Sequence, residues 1–309
     1  MDSVVLLSGG TGGAKLARGL LDACDDLTVV ANTGDDIDVY GVHASPDPDL
    51  VTYWLADEID ERGWGLRDDT WHVMEALERA GRPSWFRLGD RDLAMCLIRT
   101  ERLRAGQTLT QAHHAVVDAL GVPARVLPMS DQPVSTWVSV RGRELPFQEF
   151  MIVERAEGPI EGIELRGLHR APPSNAVLQA IAEADVVSLG PGSWYTSVLP
   201  HLLVPRLREA LAGARARVVV VLNLEPQPGE TDGFSPQEHL EVLLAHLGGV
   251  SLHTVIADAT AVVDRRGLLS AVQACGAELV LAPVAAPDGA PRHDAPRLAA
   301  ALASMVGAR

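Results

Sequence analysis

The chain has 309 residues, of which 47% are hydrophobic, and its formal net charge is −15. This length and apolar content allow a large buried core, in one α/β domain or in two smaller ones. The acidic balance excludes a broad binding face for nucleic acid, because such a face needs clustered positive charge. A nucleotide would therefore have to be held locally, by backbone N–H groups, a few cations or a divalent metal ion.

Several other classes of protein are not expected. Cys24, Cys96 and Cys275 are far apart and show no CxxC spacing, which is typical of free thiols in a reducing compartment. The apolar run at residues 4–7 is too short for a signal peptide. No run of about 18 apolar residues is present to span a membrane. We expect a cytoplasmic protein with neither a membrane nor a nucleic acid as its partner.

In chain order, the first predicted elements form a βαβ unit. A strand at residues 4–7 enters a glycine turn, and a helix at 14–24 and a strand at 27–31 follow. The next apolar residues fall at helical spacing and predict helices at 51–61, 70–80, 90–100 and 108–120. Alternating and β-branched residues then predict short strands at 125–127, 136–140, 150–153 and 162–165.

The α/β rhythm resumes at residue 175. Helices are predicted at 176–184, from 194 to about 212, and at 236–247, and they alternate with apolar strands at 186–189, 217–222, 253–257 and 279–282. Residues 285–296 are predicted to form a surface loop. Strands that are apolar throughout indicate a parallel sheet covered on both faces. We therefore predict an α/β fold: a Rossmann-like, mostly parallel sheet core of residues 1–44 and 172–309, with an inserted cap subdomain of helices and short strands at 45–171.

Two glycine-rich turns each lie between a predicted strand and a predicted helix. Glycine allows the backbone to approach a ligand closely, and the N–H groups of the following helix attract an anion. Two such turns at strand ends indicate one ligand held from two sides, although a tight turn without a ligand also explains each of them. Lys15, beside the first turn, either binds a phosphate or lies in solvent. The turn residues are Gly9, Gly10, Thr11, Gly12 and Gly13 in the first and Gly190, Gly192 and Ser193 in the second.

Acidic residues gather after the second predicted strand. Asp35 and Asp36 follow Asn32 there, and Asp47 and Asp49 follow in a Ser-Pro-Asp-Pro-Asp stretch. Ligands of open α/β sheets bind at the carboxyl ends of the strands. Several carboxylates at that edge repel each other unless a cation such as magnesium lies between them. Helix capping and turn formation explain any single one of these aspartates equally well.

Three further features have two interpretations each. Arg91 is suited to a phosphate, although Asp90 beside it is suited to capping a helix. Asn223 begins a polar stretch that either binds a base or ribose or is an ordinary loop. Five of the six tryptophans lie in the predicted insert, where they form an aromatic face for a planar ligand or pack within the cap.

The order and spacing of these motifs resemble the 2-phospho-L-lactate transferase family, also called CofD or FbiA, over nearly the whole chain. The resemblance implies a donor in which guanosine diphosphate carries lactate or an enolpyruvate-type acid. It implies as acceptor the 8-hydroxy-5-deazaflavin precursor of the redox cofactor factor 420. The segments that carry the resemblance are residues 8–16, 32–36, 45–49, 62–65, 69–71, 88–92, 128–131, 190–193 and 229–233.

In enzymes of this family, the terminal ribityl hydroxyl of the acceptor attacks the phosphorus that carries the acid group, and GMP leaves. The resemblance also implies that the enzyme uses Mg²⁺. We expect the protein to form a homodimer. The predicted metal ligands are Asp36 and Asp49. These two and Asp35 are the predicted catalytic residues, as metal ligands, contacts to the acceptor hydroxyl or general base. The expected phosphate contacts are Gly10, Thr11, Gly12, Gly192 and Ser193.

Two other functions stay open as alternatives. A non-catalytic regulator that binds a nucleotide or nucleotide sugar would share the Rossmann-like core, but residues 64–71 and 88–92 resemble the transferase. An NAD-dependent oxidoreductase is favoured only by the glycine turn and lacks a Tyr-Lys or His constellation. The Gly-x-Ser-x-Gly motif is absent, so covalent catalysis is not indicated. A bound guanosine nucleotide, rather than NAD or a UDP-sugar, would distinguish the transferase from both.

Overall fold

The computed structural model of the chain describes residues 3–155, 158, 160–168 and 172–305. Its centre is a sheet of seven strands, all pairing in parallel. These are β1 (Ser3–Ser8), β2 (Asp26–Ala31), β5 (Arg125–Pro128), β9 (Val186–Leu189), β10 (Arg217–Val221), β11 (Thr254–Ala257) and β12 (Glu278–Leu281). Their order across the sheet is β12-β11-β10-β9-β1-β2-β5. The order reverses between β1 and β9, and such switch points are where open α/β sheets bind ligands.

Helices cover both faces of this sheet. Because side chains alternate along a strand, Val4 and Leu6 of β1 pack into one hydrophobic cluster and Val5 and Leu7 into the other. The first cluster takes in α1 (Gly10–Leu20), α2 (Pro46–Leu55), α5 (Leu109–Ala119) and α12 (Ala295–Ala303). The second takes in α7 (Asn175–Glu183), α8 (Leu199–Leu203), α9 (Pro205–Gly213), α10 (Pro236–Leu247) and α11 (Arg265–Ala274). Helices therefore cover both faces of the sheet, which explains why most residues of its strands are apolar.

Smaller elements lie outside these layers. The hairpin of β3 (Ile37–Val39) and β4 (Val42–Ala44) forms a small core with α3 (His72–Arg79) and α4 (Asp90–Arg104). A three-stranded antiparallel sheet has the order β7 (Arg143–Pro146), β6 (Ser135–Val140), β8 (Gly162–Arg166), and α6 (Phe147–Ile152) follows β7. A π-helical turn (Trp194–Val198) precedes α8. Among the described residues, no helix is long and apolar enough to cross a bilayer.

The predicted fold class is confirmed, since the central sheet is parallel and Rossmann-like. One strand of the predicted insert lies elsewhere: β5 pairs with β2 as the edge strand of the central sheet. Local sequence predicts a strand but not the sheet that it joins, because pairing depends on distant residues. The exact bounds of core and cap stay a prediction, and residue 171, the predicted end of the insert, lies outside the described residues.

The strand predicted at residues 150–153 is wrong, because residues 150–152 belong to α6 and Val153 is its C-cap. Phe147 and Phe150, one helical turn apart, are both buried on the same side. The predicted loop at 285–296 ends earlier than expected, because α12 begins at Ala295. The helix expected from 194 is divided into the π-helical turn, α8 and α9. Strands β3, β4 and β7 and helices α11 and α12 were not predicted.

Candidate active site

A cavity of about 720 Å³ opens at the carboxyl ends of β1, β2, β9 and β10. It lies at the switch point of the sheet, where the sequence analysis expected a ligand. Of the predicted site residues it brings together Gly10, Thr11, Gly12, Lys15, Asp35, Gly192, Ser193 and Asn223. The glycine turns and the acidic residues after β2, which the sequence analysis marked separately, therefore line the same cavity.

The two glycine turns pack against each other. A Cβ atom on Gly12 would lie only 3.3 Å from the Cα atom of Gly192, and one on Gly13 would collide with the Ser8 hydroxyl. Gly10 has a φ of 62° and Gly192 a φ of 143°, conformations that favour glycine. Gly9 at the N-cap of α1 has no side chain to cap the helix. Asp47 accepts the Gly10 N–H, and the other N–H groups of the first turn remain available to an anion at the cavity. Gly9, Gly13 and Gly190 form the packing behind these turns rather than the cavity surface.

Asp47, at the start of α2, connects the first glycine turn to β2. Its Oδ1 atom accepts a hydrogen bond of 2.8 Å from the Gly10 N–H, and its Oδ2 atom accepts one of 3.3 Å from the Asn32 amide. The Asn32 amide also donates to the Thr196 carbonyl at 2.8 Å. Asn32 therefore holds Asp47 from behind instead of lining the cavity itself.

Asp35 and Asp47 are buried carboxyl groups that line the same cavity. Burial raises the pKa of Asp47 to about 7. Burial, and next the charge of Asp47, raise the pKa of Asp35 well above its ordinary value. The Oδ1 atom of Asp35 is buried without a hydrogen-bond partner. Carboxylates in this situation are stabilised by a proton or by a cation between them.

Asp36 lies on the other side of the same turn. It lines a second cavity of about 600 Å³, together with Thr33, His43 and Asp131. Its carboxylate accepts a hydrogen bond of 2.7 Å from the Ser45 hydroxyl and contacts the His43 imidazole at 3.1 Å. Burial raises the pKa of Asp36. The turn after β2 therefore separates the two cavities, with Asp35 on one side and Asp36 on the other.

Asp49 is paired with an arginine and also lies with Asp92 and Cys96 in a group whose ligand atoms are within 4.8 Å of one another, so its role as a metal ligand stays a prediction. Its two oxygen atoms accept hydrogen bonds of 2.6 and 2.7 Å from Arg99, which is fully buried. Arg99 also donates to the His43 carbonyl at 3.0 Å. Asp49 does not line the 720 Å³ cavity. Where the sequence analysis paired Asp36 with Asp49, the structure instead brings Asp35 and Asp47 together.

Arg91 was expected at a phosphate but lies outside both larger cavities. Its guanidinium donates to the Arg67 carbonyl and pairs with Glu58 at 3.3 Å, because its helix α4 starts away from the sheet edge. Lys15 does line the cavity, with its Nζ atom 5.5 Å from the centre of the Trp54 ring. Burial lowers the pKa of Lys15, and the nearby Arg292 lowers it further.

The cavity residues that were not predicted include Glu230, Arg292 and His293. Burial raises the pKa of Glu230 to about 7, and Ser193 donates its hydroxyl to this carboxylate. Glu230 lies within residues 229–233, one of the segments that carry the family resemblance. The sequence analysis therefore marked this segment but did not predict a role for Glu230 itself. Nothing in the local sequence indicates Arg292 or His293, which reach the cavity only through the tertiary fold.

Two tryptophans of the insert form an aromatic cluster with Arg62, and none of the five lines the main cavity. Trp64 and Trp71 lie 6.4 Å apart, and Arg62 stacks 4.4 Å above the Trp64 ring. Trp64 also lines a small cavity of about 190 Å³ beside Asp47. An aromatic face and packing within the cap therefore both describe part of this cluster.

Known proteins resemble the chain over most of its length. The family model described as 2-phospho-L-lactate transferase CofD matches residues 4–279. A phosphoenolpyruvate transferase from Kitasatospora aureofaciens is 43% identical over 225 residues, which are 70% of this chain and 70% of that protein. A 2-phospho-L-lactate transferase from Methanosarcina acetivorans is 38% identical over 221 residues, which are 71% of each chain.

A solved structure has the same fold. The crystal structure of a UPF0052 family member from Bacillus halodurans matches 97% of this chain and 98% of its own, with a TM-score of 0.73 and 24% identity. At this identity the likeness shows the fold alone. The family model and both relatives carry the assignment to transferases, in agreement with the motifs at the sheet edge. The chain belongs to the 2-phospho-L-lactate transferase family, CofD.

Proposed function

We propose that the chain transfers a phospholactyl or phosphoenolpyruvyl group from a guanosine-diphospho donor to a deazaflavin acceptor on the route to factor 420. In this reaction the terminal ribityl hydroxyl attacks the phosphorus, and GMP leaves. One observation carries the proposal: two glycine turns and two buried carboxylates meet in a single cavity at the switch point of the sheet. The names of the relatives support either acid group.

The phosphates of the donor would bind between the two glycine turns. Gly10, Thr11 and Gly12 at the start of α1 line this space, and Ser193 and Asn223 add polar groups from the turns after β9 and β10. Asn223 is held in place by two contacts to Gly192, of 3.2 and 2.7 Å. Phosphoryl transfer depends on such positioning and on charge neutralisation more than on a protein nucleophile.

Asp35 and Asp47 fit a magnesium ion, which remains a proposal. Mg²⁺ prefers one or two carboxylates together with phosphate oxygens, and Asp35 offers an oxygen that has no other partner. When bound, the ion would neutralise charge on the phosphates. Asp49 is less suited, because Arg99 already compensates its charge.

Asp36 would serve the acceptor. It lines the second cavity, which lies across the turn after β2 from the donor cavity. His43 and Ser45 hold its carboxylate in one orientation. A hydroxyl that approaches over this turn would meet Asp36 as a hydrogen-bond acceptor or general base.

The test is a transfer assay with purified protein, Mg²⁺, the deazaflavin precursor and each of the two donors, with products followed by mass. Asp47→Asn removes a buried charge at the phosphates, so we expect a loss of at least about 100-fold in rate. Asp118→Asn, at an exposed position on α5, is the matched control and keeps full activity.

The non-catalytic regulator makes the opposite prediction. If neither donor yields an adduct while the protein binds a guanosine nucleotide or a nucleotide sugar, the transferase proposal fails. The homodimer and the cytoplasmic location also stay predictions, and sedimentation of the purified protein tests the first of them.

A further inference from the structure

The charge of the donor cavity is unevenly distributed. Among the described residues that line it, the cations are Lys15 and Arg292, whereas Asp35, Asp47, Glu225 and Glu230 are acidic. Lys15 is also the single lysine of the whole sequence. A phosphate chain that binds in this acidic protein needs positive charge nearby. Among the described residues that line the cavity, Lys15 and Arg292 can supply that charge.

Arg292 reaches the cavity from the loop between β12 and α12. Backbone pairing fixes this loop: the Ala286 N–H donates to the Arg292 carbonyl at 2.9 Å, and Ala285 and His293 form an antiparallel bridge. Asp258 anchors the start of the loop by accepting the Ala285 N–H at 2.7 Å. The backbone of Arg292 is thus held at the cavity, and its side chain remains able to change partners.

The present partner of Arg292 is Asp288, four residues earlier in the loop. The side chains of this pair are 52% and 53% exposed. Exposed ion pairs contribute only about 0–1 kcal/mol. A phosphate with more than one negative charge would therefore compete successfully with Asp288 for the guanidinium, since arginine suits phosphate oxygens particularly well.

Lys15 and Arg292 lie close enough for their charges to interact. Arg292 adds to the effect of burial in lowering the pKa of Lys15. Two cations that repel each other across a cavity are both stabilised by an anion between them. Beside them, the Nε2 atom of His293 is buried and has no hydrogen-bond partner.

We propose that Lys15, on α1 beside the first glycine turn, and Arg292, from the loop between β12 and α12, clamp the phosphate chain of the donor between them, and that Asp288 holds Arg292 when no donor is bound. This inference rests on the proposed function, because it assigns the donor phosphates to the same cavity. It gives the loop at 285–296 a part in binding that its sequence does not indicate.

The test measures the affinity of the whole chain for inorganic pyrophosphate by calorimetry, at fixed Mg²⁺ and ionic strength. Arg292→Gln weakens binding about tenfold, the loss of roughly one charge-assisted hydrogen bond. Asp288→Asn keeps an acceptor for the Ala290 N–H but frees Arg292, so it tightens binding about two- to fivefold. Arg266→Gln removes the same charge from an exposed position on α11, outside the cavity, and leaves the affinity within about twofold.

Two results would overturn the clamp. In the first, Arg292→Gln has no more effect than Arg266→Gln. In the second, Asp288→Asn weakens binding in parallel with Arg292→Gln, as expected if the ion pair only stabilises the loop. The outcome is separable from that of the proposed function. If no donor is turned over but pyrophosphate affinities follow the expected order, the clamp stands and the transferase proposal falls. If both donors react normally while Arg292→Gln changes neither this affinity nor the KM for donor, the clamp alone falls.

Discussion

Asp47 and Asp49 are two residues apart in α2, and the structure gives them opposite environments. Residues two apart on an α-helix point about 200° away from each other. Asp47 therefore turns toward the glycine turn and the cavity, whereas Asp49 turns toward Arg99. The sequence shows two equivalent aspartates in the first turn of a helix, and only packing around the helix separates them.

The pair of Asp49 and Arg99 is expected to stabilise the fold. Asp49→Asn leaves a fully buried guanidinium without its counter-ion, so we expect a loss of about 3 kcal/mol in the free energy of unfolding. Denaturant unfolding measures it. The matched control is Asp26→Asn, which breaks an exposed pair with Arg125 at 2.7 Å and loses less than about 1 kcal/mol. Equal losses in the two variants would contradict a stabilising role for the buried pair.

Glu230 makes stability depend on pH. Its pKa in the folded protein is about 7, raised by burial from an ordinary value of 4.5. The folded state thus binds this proton more tightly than the unfolded state, and the free energy of unfolding falls as pH rises from 4.5 to 7.

Glu230→Gln removes the contribution of Glu230 to the pH dependence of stability. We expect the variant to be more stable than the parent by about 2 kcal/mol at pH 8. The difference should vanish below the ordinary pKa of glutamate, where the side chain is protonated in both states. Chemical denaturation at a series of pH values measures the difference. A constant difference across the series would show that Glu230 does not titrate in this range.

At the scale of elements, the connection from β1 to α1 depends on the lack of side chains. The helix can approach Ser8 and the second glycine turn only because Gly13 and Gly12 have no Cβ atoms. A glycine-rich turn was evident from the sequence, but its partner was not. The partner is the turn after β9, almost 180 residues further along the chain, and the parallel pairing of β1 with β9 brings the two together.

Gly13→Ala tests this packing. The new Cβ atom would overlap the Ser8 hydroxyl, so we expect a loss of about 2 kcal/mol in stability and weaker binding of pyrophosphate. Gly213→Ala is the matched control, because a Cβ at that helix end meets nothing within 4 Å. The control should be neutral or stabilising by up to about 1 kcal/mol. A stable Gly13→Ala protein that binds pyrophosphate normally would show that the turn has more room than the structure indicates.

For the whole molecule, the proposed magnesium site links binding to folding. A ligand that binds only the folded state raises its stability, and 10 mM Mg²⁺ at a Kd near 1 mM would add about 1.4 kcal/mol. We expect the Tm of the parent at pH 8 to rise with Mg²⁺, with potassium chloride of equal ionic strength as the control. Asp47→Asn should lose this rise. An equal rise in the variant would place the ion elsewhere.

The class of fold, and the edge of the sheet that carries the cavity, follow from local patterns in the sequence. Apolar strands that alternate with helices require burial on both faces, which is a local property of each segment. Glycine turns and acidic residues directly after strands are local signals too, and they correctly marked the cavity edge at Gly10, Asp35 and Gly192.

Which of these side chains line the same cavity depends on tertiary packing. In the folded chain β5 joins the central sheet, and Asp35 lies near Asp47. Asp49 forms an ion pair with Arg99, and Arg292 reaches the cavity from the other end of the chain. Each of these outcomes depends on contacts between residues far apart in sequence. A local pattern gives the type of side chain and its element, but only packing around that element decides which way the side chain points and what it meets.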